Sequence, residues 1–230
     1  PKVVSADNYG YLFSYYPLMK WILNSLIISL GTSVFQLVLC SMAAFGFQRT
    51  EFRGRKVFLL FVMLMIVVPI QTRILPLFII MSELGWINTF LSWIPFITDA
   101  FGIFLMMQFM QSIPATLDEA SFIDGAGLWT TYSSVILPQT KPAMVVLLTF
   151  NFINQWNDFL YPLIMVRNDK MYTLQLGLAN IFSSAQRGEG GGIGVALAGA
   201  VVSFIPTLVI FLLFQKEIVK GMNIASGVKG

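Results

Sequence analysis

From Trp21 to Phe47 the chain contains no charged residue, and four further apolar runs follow: Val57 to Met81, Phe90 to Met110, Pro142 to Met165 and Ile193 to Phe214. About 20 residues at a 1.5 Å rise cross the ~30 Å hydrocarbon layer of a bilayer, so each run is long enough to span it as a helix. Lipid offers backbone amides no partner, so each span must pair its own N–H and C=O groups. The expected fold is therefore all-α and polytopic, with five transmembrane helices. Composition points the same way: 57% of residues are hydrophobic and 11% charged, with a mean hydropathy of +0.77. Soluble globular chains carry about 25% charged residues.

Several classes of function are excluded. A net charge of +3 with no basic tract gives a nucleic-acid backbone nothing to follow. No histidine is present, which removes the commonest general base and metal ligand. The single cysteine, Cys40, lies within an apolar run and reads as a buried, inert thiol. No Gly-x-x-x-x-Gly-Lys-[Ser/Thr] sequence occurs, and the Gly188 to Gly194 cluster lacks the lysine that would make one. Neither catalytic residues nor a metal site is expected, and if ATP drives this protein another chain binds it.

Residues 1–20 are polar and aromatic, and Tyr9, Tyr11, Tyr15 and Tyr16 suit the headgroup region. They form an extracytoplasmic or interfacial segment ahead of a membrane domain covering 21–230. Ser25, Ser29 and Ser33 recur every fourth residue along the first span, either as a close-packing stripe or as serines bonded back to their own helix. Arg49, Arg53, Arg55 and Lys56 mark the cytoplasmic side. Pro69 and Pro76 should kink or unwind the second span. An outer turn near Glu83 to Asn88 leads into the third, and the longest outer segment runs from Arg167 to Gly192, with a helix over Leu174 to Phe182 and a glycine-rich turn. Small residues Gly194, Ala196, Ala198 and Ala200 give the last span a packing face. Its polar tail ends inside. Basic residues are biased inward, with Arg49, Arg53, Arg55, Lys56, Lys141, Lys216, Lys220 and Lys229 against Lys2, Lys20, Arg167, Lys170 and Arg187.

Between the third and fourth spans lies a polar stretch, residues 112–141. Ser112 can cap a helix that tolerates Pro114 in its first turn. Ala120, Ser121, Gly125, Ala126 and Gly127 then give a surface with little side-chain bulk, suited to close approach by another protein. Trp129, Tyr132 and Ile136 at helical spacing predict a second short amphipathic helix leaning back on the membrane domain, ended by Pro138 and Pro142.

Glu119-Ala120-Ser121, Asp124-Gly125-Ala126 and Ile136-Leu137-Pro138 resemble the signature "EAA" loop of membrane subunits of bacterial binding-protein-dependent ABC importers, with Ser121 where alanine is usual. Trp156-Asn157-Asp158-Phe159 with Pro162, Tyr172-Thr173-Leu174 with Gly177-Leu178, and the closing Val219-Lys220-Gly221 and Val228-Lys229-Gly230 resemble the carbohydrate subfamily of MalG-like permeases. The resemblance covers the chain from about Asn24 to its end. It implies the type I ABC importer permease fold in the bacterial cytoplasmic membrane. Such a subunit translocates a sugar or oligosaccharide by alternating access. The family usually has one more helix before this point, so the first helix is expected to be missing from this sequence.

The resemblance also implies partners. These are a second related, MalF-like permease, a dimer of MalK-like subunits that bind ATP and Mg, an external solute-binding protein, and membrane lipid. The segment Arg167 to Gly192 and the outer turns would meet the binding protein. Glu119, Ala120, Ser121, Asp124, Gly125, Ala126 and Gly127 would form the coupling helix, seated in a cleft of the ATP-binding subunit. No cofactor is expected in this chain. Asn151, Asn154 and Asp158 share one helical face at steps of three and four, near Trp156, Asn157 and Tyr161. They would line a sugar pathway or, as the favoured reading, staple helices and form an outer gate. Arg73 and Asp99 either pair or, for Arg73, snorkel to the interface. The competing class is an ion-coupled secondary transporter, for which Asp99 is the one candidate coupling group and no internal repeat is visible.

Overall fold

In a computed structural model, which describes residues 6–225 with side chains up to residue 217, the tyrosine-rich start forms α1 (Asp7–Tyr15) and the first apolar run forms α2 (Leu18–Arg49). Lys2 and Val228-Lys229-Gly230 lie outside the described residues, and only helical backbone is described for Val219-Lys220-Gly221. No strand occurs among the described residues.

The second run is cut once, not twice. It gives α3 (Arg55–Val67) and α4 (Ile70–Glu83), bent by 106°. Proline clashes with a helical conformation in the residue before it. Val68 accordingly takes φ −77° and ψ 112°, ending α3 at Pro69. Pro76 stays inside α4, so the second expected break does not form.

The third run also divides. Phe90–Phe96 makes a short 3₁₀ helix, and α5 (Ala100–Gln111) follows at a bend of 46°. Asp99 is the cap of α5, its carboxylate accepting from the Gly102 amide. The polar stretch 112–141 becomes α6 (Thr116–Ile123), then α7 (Leu128–Thr130), a π-helical turn over Thr131–Ile136, and α8 (Leu137–Gln139). Pro138 does not end this segment as expected. Lacking an amide, it leaves the regular ladder short of a donor, and the Leu137 N–H reaches back five residues to Tyr132 O in the π turn.

The fourth run starts as α9 (Lys141–Asn157), stops at Asp158 and resumes as α10 (Leu160–Met165). A 3₁₀ turn, Asp169–Met171, precedes α11 (Leu174–Gln186), four residues longer at its C-terminus than the expected Phe182 end. Gly188, Gly190, Gly191 and Gly192, at φ between 65° and 81°, make the glycine-rich turn before α12 (Ile193–Ala225). That helix continues through the polar residues after Phe214. Among the described residues two helices, Leu18–Arg49 and Ile193–Glu217, are long and apolar enough to cross a membrane singly; three bent pairs would bring the number to five. One of those pairs joins Leu128–Gln139 to Lys141–Asn157 at 78°.

Contacts divide the chain into two units. The first takes the described parts of Pro1–Gly31, Ile74–Ile94 and Phe152–Leu212. Its core includes Leu12, Leu18, Trp21, Trp156, Leu174 and Ile181. Side chains there close off loop backbone. Asn24 Nδ2 donates to Lys170 O and Tyr172 O (3.0 and 2.9 Å), Ser25 Oγ accepts from Leu174 N (2.8 Å), and Asn88 Oδ1 accepts from Arg167 N and Asn168 N (2.5 and 2.9 Å). These bonds set the start of α11, whose Thr173 cap accepts from Leu176 N. Of the expected small face of α12, Ala196 and Ala198 are buried and Gly194 lies close against the Asn8 side chain, while Ala200 is exposed and buried Gly199 joins the face.

The second unit takes the described parts of Thr32–Arg73, Pro95–Asn151 and Leu213–Gly230. Cys40, Ala44, Met106, Met110, Ile136 and Leu147 form much of its core. Cys40 is buried, with Sγ 3.6 Å from Asp99 O, which fits the inert reading of this thiol.

Gly177 is where helix approach is tightest in the first unit: a Cβ there would overlap the Trp21 indole. Gly177→Ala is expected to lower stability by about 1–3 kcal/mol, the usual range for overpacking. Thermal unfolding of the detergent-purified protein measures it. Adding Trp21→Leu should recover part of the loss, and a double variant worse than the sum of the singles would contradict the contact.

Candidate functional site

The stretch 112–141 owes its position to one arginine. Arg49 is the last residue of α2, where a cation complements the negative end of the helix dipole. Its Nη1 lies 2.9 Å from Asp118 Oδ2, and both side chains are only 12% exposed. Its Nη2 donates to Met110 O (3.0 Å) in the last turn of α5 and to Ile113 O (2.7 Å) just beyond it. Met110 O also accepts from the Ile113 amide (3.2 Å), and the guanidinium takes its second lone pair. Asp118, in the first turn of α6, in turn sits at that helix's positive end. One guanidinium thus ties together the ends of α2 and α5 and the start of α6.

Ser112 does not cap α6 as expected. It closes α5, its hydroxyl donating to Phe109 O (2.7 Å), while α6 begins at Ala115 with no side-chain cap. The Asp118 and Glu119 amides are taken by Ala115 O. With the backbone supplying these bonds and Arg49 the anchor, Ser112 has no capping role left.

Gly125 performs the expected turn. At φ +80° it is in the left-handed region, which L side chains enter at a cost of about 1–2 kcal/mol. Its amide donates to Phe122 O and the next, Ala126 N–H, to Ser121 O (3.0 and 2.9 Å). This pair of bonds is the Schellman closure of a helix C-terminus. Ser121 is buried, its Oγ 2.6 Å from Thr131 Oγ1, also buried. The serine in place of the usual alanine thus joins the two arms of the elbow by a hydroxyl bond.

Glu119, Ala120, Asp124, Gly125 and Gly127 are exposed and Ala126 half-buried. The surface is not as lean as expected. Phe122, Ile123, Leu128 and Trp129 all protrude, Ile123 at 86% exposure and Trp129 at 65%. Sequence reasoning emphasised the small residues, passed over Phe122, Ile123 and Leu128, and turned Trp129 inward; the interleaving of Phe122 and Ile123 among polar residues was the available signal. Tyr132 and Ile136 do turn inward, Tyr132 sharing a 2.7 Å hydroxyl bond with Ser41, but Trp129 does not join them. Exposed bulky apolar side chains beside small ones are what a protein-contact surface requires. Arg49 and Asp118 were also missed as an anchor, because an ion pair between residues so distant in sequence leaves no local pattern.

The second set of residues comes apart. Asn151 is buried on α9, its Nδ2 3.3 Å from Ser33 Oγ, so this member of the serine stripe reaches another helix. Asn154 is exposed. Asp158 has left the helix: its Oδ1 accepts from Leu160 N and Tyr161 N (3.1 and 3.3 Å), starting α10, so it does not share a helical face with the two asparagines. Trp156 is wholly buried, stacked on Phe152, with Nε1 donating to Ser203 O at 3.0 Å. Its ring is therefore not offered for stacking on a sugar. Tyr161, equally enclosed, donates to Ser92 O at 2.5 Å. Asn157 is exposed at the end of α9. Arg73 and Asp99 line a shared cavity of about 320 Å³ but form no ion pair, Asp99 being engaged as a cap.

Residues 36–223 match the family described as "Binding-protein-dependent transport system inner membrane component". The chain is 34% identical over 234 residues to the arabinooligosaccharides transport system permease protein AraQ of Bacillus subtilis, an alignment covering 100% of this chain and 81% of the relative. It is also 34% identical over 233 residues to the trehalose transport system permease protein SugB of Mycobacterium tuberculosis, covering 100% and 84%. In fold it is similar to a chain of a bacterial ABC transporter involved in the import of the acidic polysaccharide alginate. There the TM-score is 0.79 at 22% identity, covering 92% of this chain and 79% of the other.

The arginine anchor generates a prediction of its own. Asp118→Ala leaves the Arg49 charge enclosed without its counter-ion, and is expected to cost about 3 kcal/mol, the lower end of the range for breaking a buried pair. Arg49→Lys should not substitute, because a lysine lacks the planar fork that reaches an aspartate and two carbonyls together. Thermal unfolding, with limited proteolysis of residues 112–141, reads both. Wild-type protease resistance in Asp118→Ala would remove the anchor.

Proposed function

The chain belongs to the family of binding-protein-dependent transport system inner membrane components, and on that premise we propose that it is the membrane-spanning subunit of an ATP-driven carbohydrate importer. It works as a multi-pass protein of the bacterial cytoplasmic membrane. ATP is bound and hydrolysed by a dimer of partner subunits, a second related permease completes the pathway, and an external solute-binding protein delivers the sugar. The carbohydrate relatives, AraQ and SugB among them, support the cargo class.

The elbow carries the reading. A coupling element must be firm enough to transmit displacement and must present a surface a partner can grip. Firmness comes from the Arg49–Asp118 pair, the Ser121–Thr131 bond and the Gly125 closure. The grip comes from exposed Phe122 and Ile123 beside Ala120, with Glu119 free to meet a basic residue of the partner. Nucleotide-driven closure of the partner dimer moves the elbow, and with it the ends of α2 and α5 that Arg49 holds. Alternating access follows in the membrane domain. Exposed Asn154 and Asn157 belong to the solute path or its gate on this reading, whereas Asn151, Asp158 and Asp99 act by holding helices in register.

A cysteine at Ala120 is expected to crosslink to the ATP-binding subunit in the assembled complex, and sugar-loaded binding protein to stimulate ATP hydrolysis. Gly125→Asp should insert normally yet lose transport and bind the ATP-binding subunit more weakly. Capture of no ATP-binding subunit by Ala120→Cys, or wild-type coupling in Gly125→Asp, would refute the assignment of the elbow.

A further inference from the structure

In the first unit, α11 and α12 enclose an open cavity of about 510 Å³, within the roughly 300–1,000 Å³ typical of small-molecule sites. Its polar lining is Asn157, Gln175, Ser203 and Thr207. Gln175 Nε2 donates to Ser203 Oγ at 2.8 Å and approaches Asn157 Oδ1 at 3.4 Å, so three of these four groups form a linked cluster. The fourth is unsatisfied. Thr207 Oγ1 is buried without a hydrogen-bond partner. Enclosed in the wall, that hydroxyl is not offered to a ligand, which leaves Asn157, Gln175 and Ser203 as the polar groups of the cavity.

Such a wall is poorly suited to lipid, since acyl chains leave amides and hydroxyls unpaired at a cost. Phe159, Phe182 and Phe204 supply apolar ring faces around it. None of the described residues lining the cavity carries a charge. Side-chain amides and hydroxyls that can donate and accept, flanked by aromatic faces, match a ligand with many hydroxyls and an apolar C–H face. The missing cation argues against a carboxylate-bearing one, because a charge removed from water needs a counter-charge.

We propose that this cavity is a subsite for one ring of an uncharged sugar, its hydroxyls taken by Asn157, Gln175 and Ser203 and one face by the phenylalanines. This rests on the reading of the chain as a carbohydrate importer subunit, and adds to it where on this subunit the cargo pauses and which sugars it accepts.

The test uses the full complex of both permeases and the ATP-binding subunits with its binding protein. Ala200, exposed and lining the cavity, is changed to cysteine; the native Cys40 is buried and should contribute little background. Maleimide labelling of Ala200→Cys is followed in nucleotide-free and ATP-trapped complexes with maltotriose, arabinotriose or trigalacturonate. At least one neutral sugar is expected to slow labelling about tenfold in one of the two states, and trigalacturonate to leave it unchanged. In proteoliposomes, Gln175→Leu should raise the KM for uptake of that neutral sugar about threefold to tenfold, the effect of one lost hydrogen bond. If the wild-type complex imports a neutral sugar but none protects Ala200→Cys and the KM of Gln175→Leu is unchanged, the subsite is wrong while the importer reading stands. Protection by trigalacturonate alone would overturn the selectivity. If the wild-type complex hydrolyses ATP but imports no sugar, both fall.

Discussion

An unpaired backbone amide or carbonyl is costly wherever water is excluded, and the helix breaks in this chain are organised by that cost. Where the long runs are interrupted, a side chain repeatedly stands in for the missing helical partner. Asp99 takes an amide of α5, Asp158 takes two amides at the start of α10, and Asn88 takes two more after α10. Asn24 gives its amide hydrogens to two carbonyls ahead of α11. Residues that look like isolated polar groups in greasy surroundings therefore serve mainly as terminators and initiators of helices.

The same accounting explains the elbow. Helix ends meeting within a few residues crowd carbonyls together, and Arg49 donates to two of them, Met110 O and Ile113 O, while pairing with Asp118. The serine at position 121 and the glycine at 125 then fix the turn without filling its outer face. What remains outward is a mixture of small, acidic and bulky apolar side chains. On the proposed function, this separation of duties lets one short segment be rigid on the side facing its own chain and adhesive on the other.

For a carbohydrate path, the division between structural and available polar groups matters more than their number. Trp156 and Tyr161 spend their polar atoms on Ser203 and Ser92 carbonyls and are enclosed.

Helical class, the apolar runs and the elbow's turn at Gly125 were legible in the sequence, because each depends on local chemistry: run length, the absent Cβ, the residue before a proline. The tight seat of Gly177 on Trp21, by contrast, appears in the sequence only as a glycine. That Trp156 would be buried, with its indole N–H on Ser203 O, while Trp129 stays exposed depended on partners far away in sequence. Arg49 is the clearest instance. Sequence alone made it one of four basic residues marking a side of the membrane; tertiary structure made it an anchor, because only folding brings Asp118 and the carbonyls of Met110 and Ile113 within reach of a single guanidinium.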